Sequence, residues 1–139
     1  MSKISIACIA LYKDKVLIAH RIPKGDMSSR WEFPGGKVED GETENQAVVR
    51  EFKEEFNIKV KVGDLIATGE FEHRGEKRQL HAYRIFVPHK GLIFKYKLTE
   101  HTEYKWVKFE EIKNLQFVDS DLLIYEKVKE YAQRSLKRK

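Results

Sequence analysis

The chain opens on an apolar run, Ile4 to Leu11, rich in β-branched residues. A run of this length predicts a buried strand. The polar triplet Lys13-Asp14-Lys15 predicts a turn and Val16 to Ala19 a second short strand, so the two read as a hairpin. Ile22 to Arg30 is polar, with Pro23, Gly25 and two serines, and reads as a loop. Trp31 to Glu42 is turn-rich. At Thr43 the period changes and a helix is expected to begin. Thr43 with Gln46 fits a capping box, and no Gly or Pro interrupts Glu44 to Phe56. Val48, Phe52 and Phe56 recur every four residues as a helical apolar stripe. Asn57 suits the stop, because Asn tolerates the left-handed backbone that ends many helices.

Beyond it the pattern is again β. Ile58 to Glu72 is rich in strand formers, with a kink expected at Gly63-Asp64. His73 to Arg78 reads as a charged hairpin loop and Leu80 to Val87 as its return strand. Leu92 to Tyr96 reads as an edge strand or part of a dimer contact. Tyr104 to Phe109 predicts another strand, and Asp121 to Leu136 an amphipathic helix. Mixed strands around a capped helix, with a second helix at the end, predict an α+β fold, an α/β/α sandwich around a mixed central sheet.

Composition narrows this reading. With 139 residues the chain suits one domain, 1–139, with a real core and no second domain. Its 41% hydrophobic and 35% charged residues fit a soluble globular domain and argue against a disordered or fibrous one. The net charge of +5 suits an anionic ligand, polyphosphate or nucleic acid. A lysine-rich solvated surface gives the same balance. Much of the excess lies in 134–139, expected as a frayed basic tail. Cys8 is the single cysteine, which excludes an intrachain disulfide and makes a reducing cytoplasm the expected home. In its apolar run it reads as a small core residue. No signal peptide is expected, because Lys3 is followed by only a short apolar run broken at Lys13, and no apolar stretch approaches the roughly 20 residues of a membrane span.

The chemistry concentrates in Arg50-Glu51-Phe52-Lys53-Glu54-Glu55. On a helix, Glu51, Glu54 and Glu55 stand at i, i+3 and i+4 and share one face. Their mutual repulsion is relieved by a bound divalent cation, and hard ions such as Mg²⁺ take oxygen ligands and share them with phosphates. From the spacing alone, a solvated acidic face balanced by Arg50 and Lys53 is the commoner outcome. Gly35-Gly36 shifts the weighting, because it can bring bare backbone against this helix. Glu42 is placed to pair with Arg50 and pin the loop.

These residues carry a resemblance. Gly36 to Ile58 resembles the Nudix box: Gly, five residues, Glu, seven residues, Arg-Glu, an aliphatic or aromatic residue, any residue, Glu-Glu, any residue, Gly, and an aliphatic residue. The chain supplies Gly36, Glu42, Arg50, Glu51, Phe52, Glu54, Glu55 and Ile58 at those positions, with Asn57 in place of the family's glycine. The box covers 36–58, about a sixth of the chain.

The resemblance implies a Nudix-like sandwich and a phosphoanhydride hydrolase with Mg²⁺, or Mn²⁺, held by Glu51, Glu54, Glu55 and the Gly35 carbonyl. It implies a further acidic ligand from a later loop, Glu100, with Glu103 as the fallback. Either Glu54 or Glu100 is the expected general base, and Arg50 orients the glutamates. The run Trp31 to Lys37 is similar to the MutT-like branch, which acts on nucleoside triphosphates. That branch implies phosphate contact by Arg21, base packing by Phe33, a substrate contact by Lys37, and base-edge reading by Asp121, with Asp119 nearby. Asp121 read without the family is a plain helix N-cap, a role open also to Ser120 or Asp119.

The expected reaction is hydrolysis of an oxidised guanine or cytidine triphosphate to the monophosphate and pyrophosphate. The alternatives are a nucleotide sugar, a dinucleoside polyphosphate or an RNA 5′ end, and then a non-catalytic nucleotide-binding module. The expected assembly is a monomer or homodimer without membrane attachment.

Overall fold

The computed structural model describes residues 3–21, 30–88 and 101–137. At its centre is β1 (Ile4–Tyr12), whose residues Ile6 to Ala10 are buried in succession, as a strand covered on both faces requires. At its far end β1 turns into β2 (Lys15–Arg21), the expected hairpin, with Lys13 in left-handed backbone at φ 55°. Its residues 5–7 pair antiparallel with β4 (Gly35–Lys37), and its residues 4–10 pair parallel with β6 (Glu76–Phe86). The sheet is therefore mixed. β2 carries β3 (Trp31–Glu32) and β7 (His101–Lys108), both antiparallel.

β5 (Lys61–His73) pairs with β6 as a long hairpin. The six-residue charged loop expected here is tighter: only Arg74 and Gly75 turn, at φ 52° and 81°. Two successive residues with φ > 0 match the twist of a two-residue hairpin, so the strands extend to His73 and Glu76. The kink expected at Gly63-Asp64 is a register shift between Val62 and Leu65.

α1 (Glu44–Phe56) lies on one side of the sheet and α4 (Tyr125–Lys137) on the other, with the short helices α2 (Phe109–Ile112) and α3 (Asp119–Leu122) leading into α4. One core gathers Val48, Phe52 and Phe56 beneath α1 with Ile6, Cys8 and Leu17. The other gathers Phe33, Leu80, Phe117, Ile124, Tyr125 and Val128. The architecture is the α/β/α sandwich of the sequence reading.

Three expectations change. Phe109, read as a strand end, opens α2, where its buried ring packs edge-on against Tyr125. The single helix Asp121 to Leu136 is broken between Leu122 and Tyr125. Leu122 and Leu123, whose apolar side chains suit the buried side of such a helix, are exposed, while Asp121 and Ile124 turn inward. Residues 134–137, expected as a tail, continue α4, since Arg, Leu and Lys are good helix formers with no breaker among them. Residues 22–29 of the loop expected from Ile22 to Arg30, and the apolar stretch Leu92 to Tyr96, lie outside the described residues. Among those described, no helix is long and apolar enough to cross a membrane.

Candidate active site

α1 is fixed at both ends by local chemistry. The Thr43 side chain accepts the Gln46 N–H and the Gln46 side chain accepts the Thr43 N–H, completing the capping box. Asn57 closes the helix in left-handed backbone, φ 59°, its N–H on the Lys53 carbonyl. Between these ends the glutamate face meets the sheet. Glu51 and Glu55 are buried, at 9% and 1% exposure, whereas the Glu54 side chain is half exposed.

The backbone opposite explains both glycines. Gly35 donates its N–H to Glu55 Oε1 at 3.1 Å. A Cβ on Gly35 would lie 2.0 Å from the Ile6 carbonyl oxygen, in β1. A Cβ on Gly36 would lie 2.5 Å from the Glu51 carboxyl carbon. The pair thus lets β4 close on β1 on one side and on two carboxylates on the other. Behind them sits the thiol of Cys8, pushed well above its ordinary pKa by burial and then by the charges of Glu55 and Glu51. A thiol held protonated in this way is inert, as its apolar setting suggests.

Arg50 is the hub. Its Nε donates to Glu42 Oε2 at 2.7 Å and one terminal nitrogen to Glu42 Oε1 at 3.0 Å, the bidentate pair expected from the spacing. The other terminal nitrogen reaches Glu51 Oε1 at 2.8 Å and Glu54 Oε2 at 3.3 Å, and lies 3.4 Å from Glu39. The Lys37 carbonyl accepts from Arg50 at 3.0 Å. The Arg50 hydrogen bond holds the Glu42 carboxyl below the usual carboxylate range. Arg50 in turn is driven further above its already high value, chiefly by Glu42, then by Glu51, against its own desolvation.

Among the described residues no three acidic, histidine or cysteine side chains converge as a metal group, and the Arg50 guanidinium is the cation between Glu42, Glu51 and Glu54. The donor set fits a hard divalent ion all the same. It is all oxygen, it comes from one helix face, and the glycine pair opposite has no side chain to cover it.

On the other side of the sheet, Asp121 is buried, and its Oδ2 accepts the Phe33 N–H at 2.9 Å. It lies in the first turn of α3, whose N-cap is Val118, so Asp121 is not the N-cap. The Phe33 ring is 2% exposed and packs edge-on against Phe117 at 5.1 Å, which makes it a core wall in this state. Arg21 ends β2, as the resemblance expects, opposite His101. Lys37 ends β4 with an exposed side chain. Glu103 pairs with His20 and faces solvent, and Asp119 pairs with Arg30 at 3.1 Å. Glu100 lies outside the described residues.

The structure adds one residue. Arg78 is 6% exposed, and among the described residues its Nε and one terminal nitrogen have no hydrogen-bond partner. Buried donors without partners are costly and call for explanation. Arg78 was hidden by its assignment to a loop. Once β6 begins at Glu76, Arg78, Leu80 and Ala82 alternate on one inward face. A cation at an inward position of a two-residue period is the signal that was available.

The family model described as NUDIX domain matches residues 1–128. The chain is 33% identical over 127 residues to the CTP pyrophosphohydrolase of Escherichia coli (strain K12), across 91% of this chain and 91% of that protein. It is 34% identical over 113 residues to the putative 8-oxo-dGTP diphosphatase 2 of Mycobacterium tuberculosis (strain CDC 1551 / Oshkosh), across 76% and 73%. The solution structure of the E. coli ORF135 protein superposes with a TM-score of 0.73 at 32% identity, covering 96% of this chain and 93% of that one.

Proposed function

The chain belongs to the NUDIX family of hydrolases, and on that premise we propose that it hydrolyses a nucleoside triphosphate, a cytidine or oxidised guanine nucleotide, to the monophosphate and pyrophosphate. The observation that carries this reading is the spacing along one short segment. The Phe33 N–H is held by Asp121 and the Gly35 N–H by Glu55. Two extended residues span at most about 7 Å, so the backbone point that holds the carboxylate suited to a base and the one that holds a carboxylate suited to a metal lie within that distance along one strand segment.

Members of the family generally use divalent metal ions; here Mg²⁺ is the proposed ion, held by Glu51, Glu54, Glu55 and the Gly35 carbonyl. Such an ion, when bound, neutralises charge developing on the phosphate oxygens. Arg50 holds Glu51 and Glu54 in place while its pairing with Glu42 keeps the loop closed. Glu54, the most exposed of the three, takes the proton of the attacking water as general base. Attack in line on phosphorus expels pyrophosphate. Arg21 and Lys37 are the proposed phosphate contacts.

On the base side, a carboxylate accepts and a guanidinium only donates. Asp121 therefore suits an exocyclic amino group, such as the one on C4 of cytosine or the one on C2 of guanine. Arg78, on the inward face of β6, suits a ring carbonyl and would satisfy its partnerless N–H groups. The Phe33 ring backs this wall. The reducing cytoplasm remains the proposed compartment, on the ground of the single buried Cys8.

The test is a coupled phosphate-release screen with Mg²⁺ and pyrophosphatase, over CTP, dCTP, 8-oxo-dGTP, ordinary triphosphates, nucleotide sugars and dinucleoside polyphosphates. Turnover of a cytidine or oxidised guanine triphosphate, with the monophosphate as co-product, is expected. Turnover confined to a sugar or dinucleotide would overturn the substrate assignment and leave the hydrolase site standing.

A further inference from the structure

Outside the glutamate face, α1 makes a second polar contact that the proposed chemistry does not use. Glu44, the first residue of α1, reaches across to β6. Its Oε1 accepts from the Tyr83 hydroxyl at 2.7 Å and from His81 Nδ1 at 2.6 Å. The other ring nitrogen of His81 lies 2.8 Å from Gln79 Oε1. The contacts span 37 and 39 positions in sequence, so they are tertiary and not local. They also favour the charged form of Glu44. Burial would raise the Glu44 pKa, but the hydrogen bonds from Tyr83 and His81 outweigh it and hold the carboxyl below its usual range. Tyr83, by burial and then by the same bond, is pushed up to about 12.

We propose that Glu44 is a positioning residue: its clamp on His81 and Tyr83 sets where α1 sits on the sheet, and so where the Glu51, Glu54 and Glu55 carboxylates stand against Gly35 and Gly36. The proposal rests on the metal-dependent reading of that face. Its physical basis is the difference between apolar and polar contacts. The stripe of Val48, Phe52 and Phe56 buries area but has no direction, so it resists sliding and rotation weakly. Hydrogen bonds fix atoms to within a few tenths of an ångström. Those of Arg50 and Glu55 belong to the site itself. The Glu44 clamp lies outside it. It also ties the helix of the carboxylates to β6, the strand that carries Arg78 on its opposite face.

A plainer role for Glu44 is an acid in the first turn, favoured by the helix dipole. The two are separated by substitution. Because one oxygen takes both bonds, Glu44→Gln keeps an acceptor in place while losing the charge, and Glu44→Ala loses both.

The experiment measures Mn²⁺ binding by electron paramagnetic resonance, and turnover as a function of Mg²⁺, in the wild type, Glu44→Ala, Glu44→Gln and Tyr83→Phe. Circular dichroism and thermal melting confirm that each is folded. Glu44→Ala is expected to weaken Mn²⁺ binding and raise the Mg²⁺ activation midpoint about tenfold, the low end of what partners behind metal ligands contribute. Tyr83→Phe should give a smaller change in the same direction, and it serves as the test where Glu44→Ala fails to fold. Glu44→Gln should stay within about threefold of the wild type, a rescue that the dipole role does not predict. Wild-type metal binding and activation in folded Glu44→Ala would overturn the clamp. A wild type that binds no Mn²⁺ would overturn the metal reading beneath it.

Discussion

At the scale of single residues, the two adjacent glycines make opposite demands. Methylating Gly36 in Gly36→Ala drives into the far end of the flexible Glu51 side chain. That carboxylate can swing away, so the fold is expected to survive and the proposed metal ligand to be displaced. The variant is expected to melt within a few degrees of wild type and to lose at least about a hundredfold in kcat. Gly35→Ala meets the rigid backbone of Ile6 instead. It should cost stability, about 1–3 kcal/mol or more as overpacking does, read from a urea titration. Glu54→Gln is nearly isosteric and weakens the half-exposed 3.3 Å ion pair with Arg50. It should lower kcat by at least about a hundredfold with the melting curve unchanged, and near-normal turnover would remove Glu54 from the mechanism.

At the scale of elements, the ends of α1 set its contribution. Thr43→Ala removes a cap that satisfies Gln46 and should cost about 1 kcal/mol in denaturant unfolding. Asn57 stands where the family has glycine, and its left-handed φ explains the tolerance. Asn57→Gly is expected to be neutral or mildly stabilising, while Asn57→Val, with a branched Cβ in that region, should cost more than 1 kcal/mol or so. The carboxylates tied to the helix also give it an acid limit. Glu42 and Glu44 titrate lower in the folded chain than when unfolded. Their stabilisation is therefore complete above the ordinary carboxylate pKa of about 4 and is lost as pH falls below it. Melting temperature followed from about pH 6 to pH 3 should fall less steeply in Glu42→Gln than in wild type.

At the scale of the whole molecule, the site is a junction: α1, the β4 backbone and, two residues away, the wall around Asp121. An ion that binds only the folded junction stabilises it by mass action, about 2.7 kcal/mol at a hundred times its dissociation constant. Saturating Mg²⁺ should therefore raise the melting temperature by several degrees, EDTA should reverse it, and Glu54→Gln should blunt it. Much of this molecule was determined by local rules. Capping chemistry set the start and stop of α1, the four-residue period set its buried side, and the box spacing placed three carboxylates on one face and Glu42 within reach of Arg50. These follow from steric and hydrogen-bonding preferences that act within a turn or two of chain. Other features waited for distant partners. Leu122 and Leu123 are as apolar as Ile124, and only the packing of the second core decides that they face solvent while Asp121 turns inward. Arg78 became visible as a buried donor once the pairing of β5 with β6 showed where the turn lay. Glu44 reads alone as an ordinary first-turn acid; its partners arrive from β6. In each case the deciding contact crosses a long stretch of chain, and burial, not local propensity, selects it.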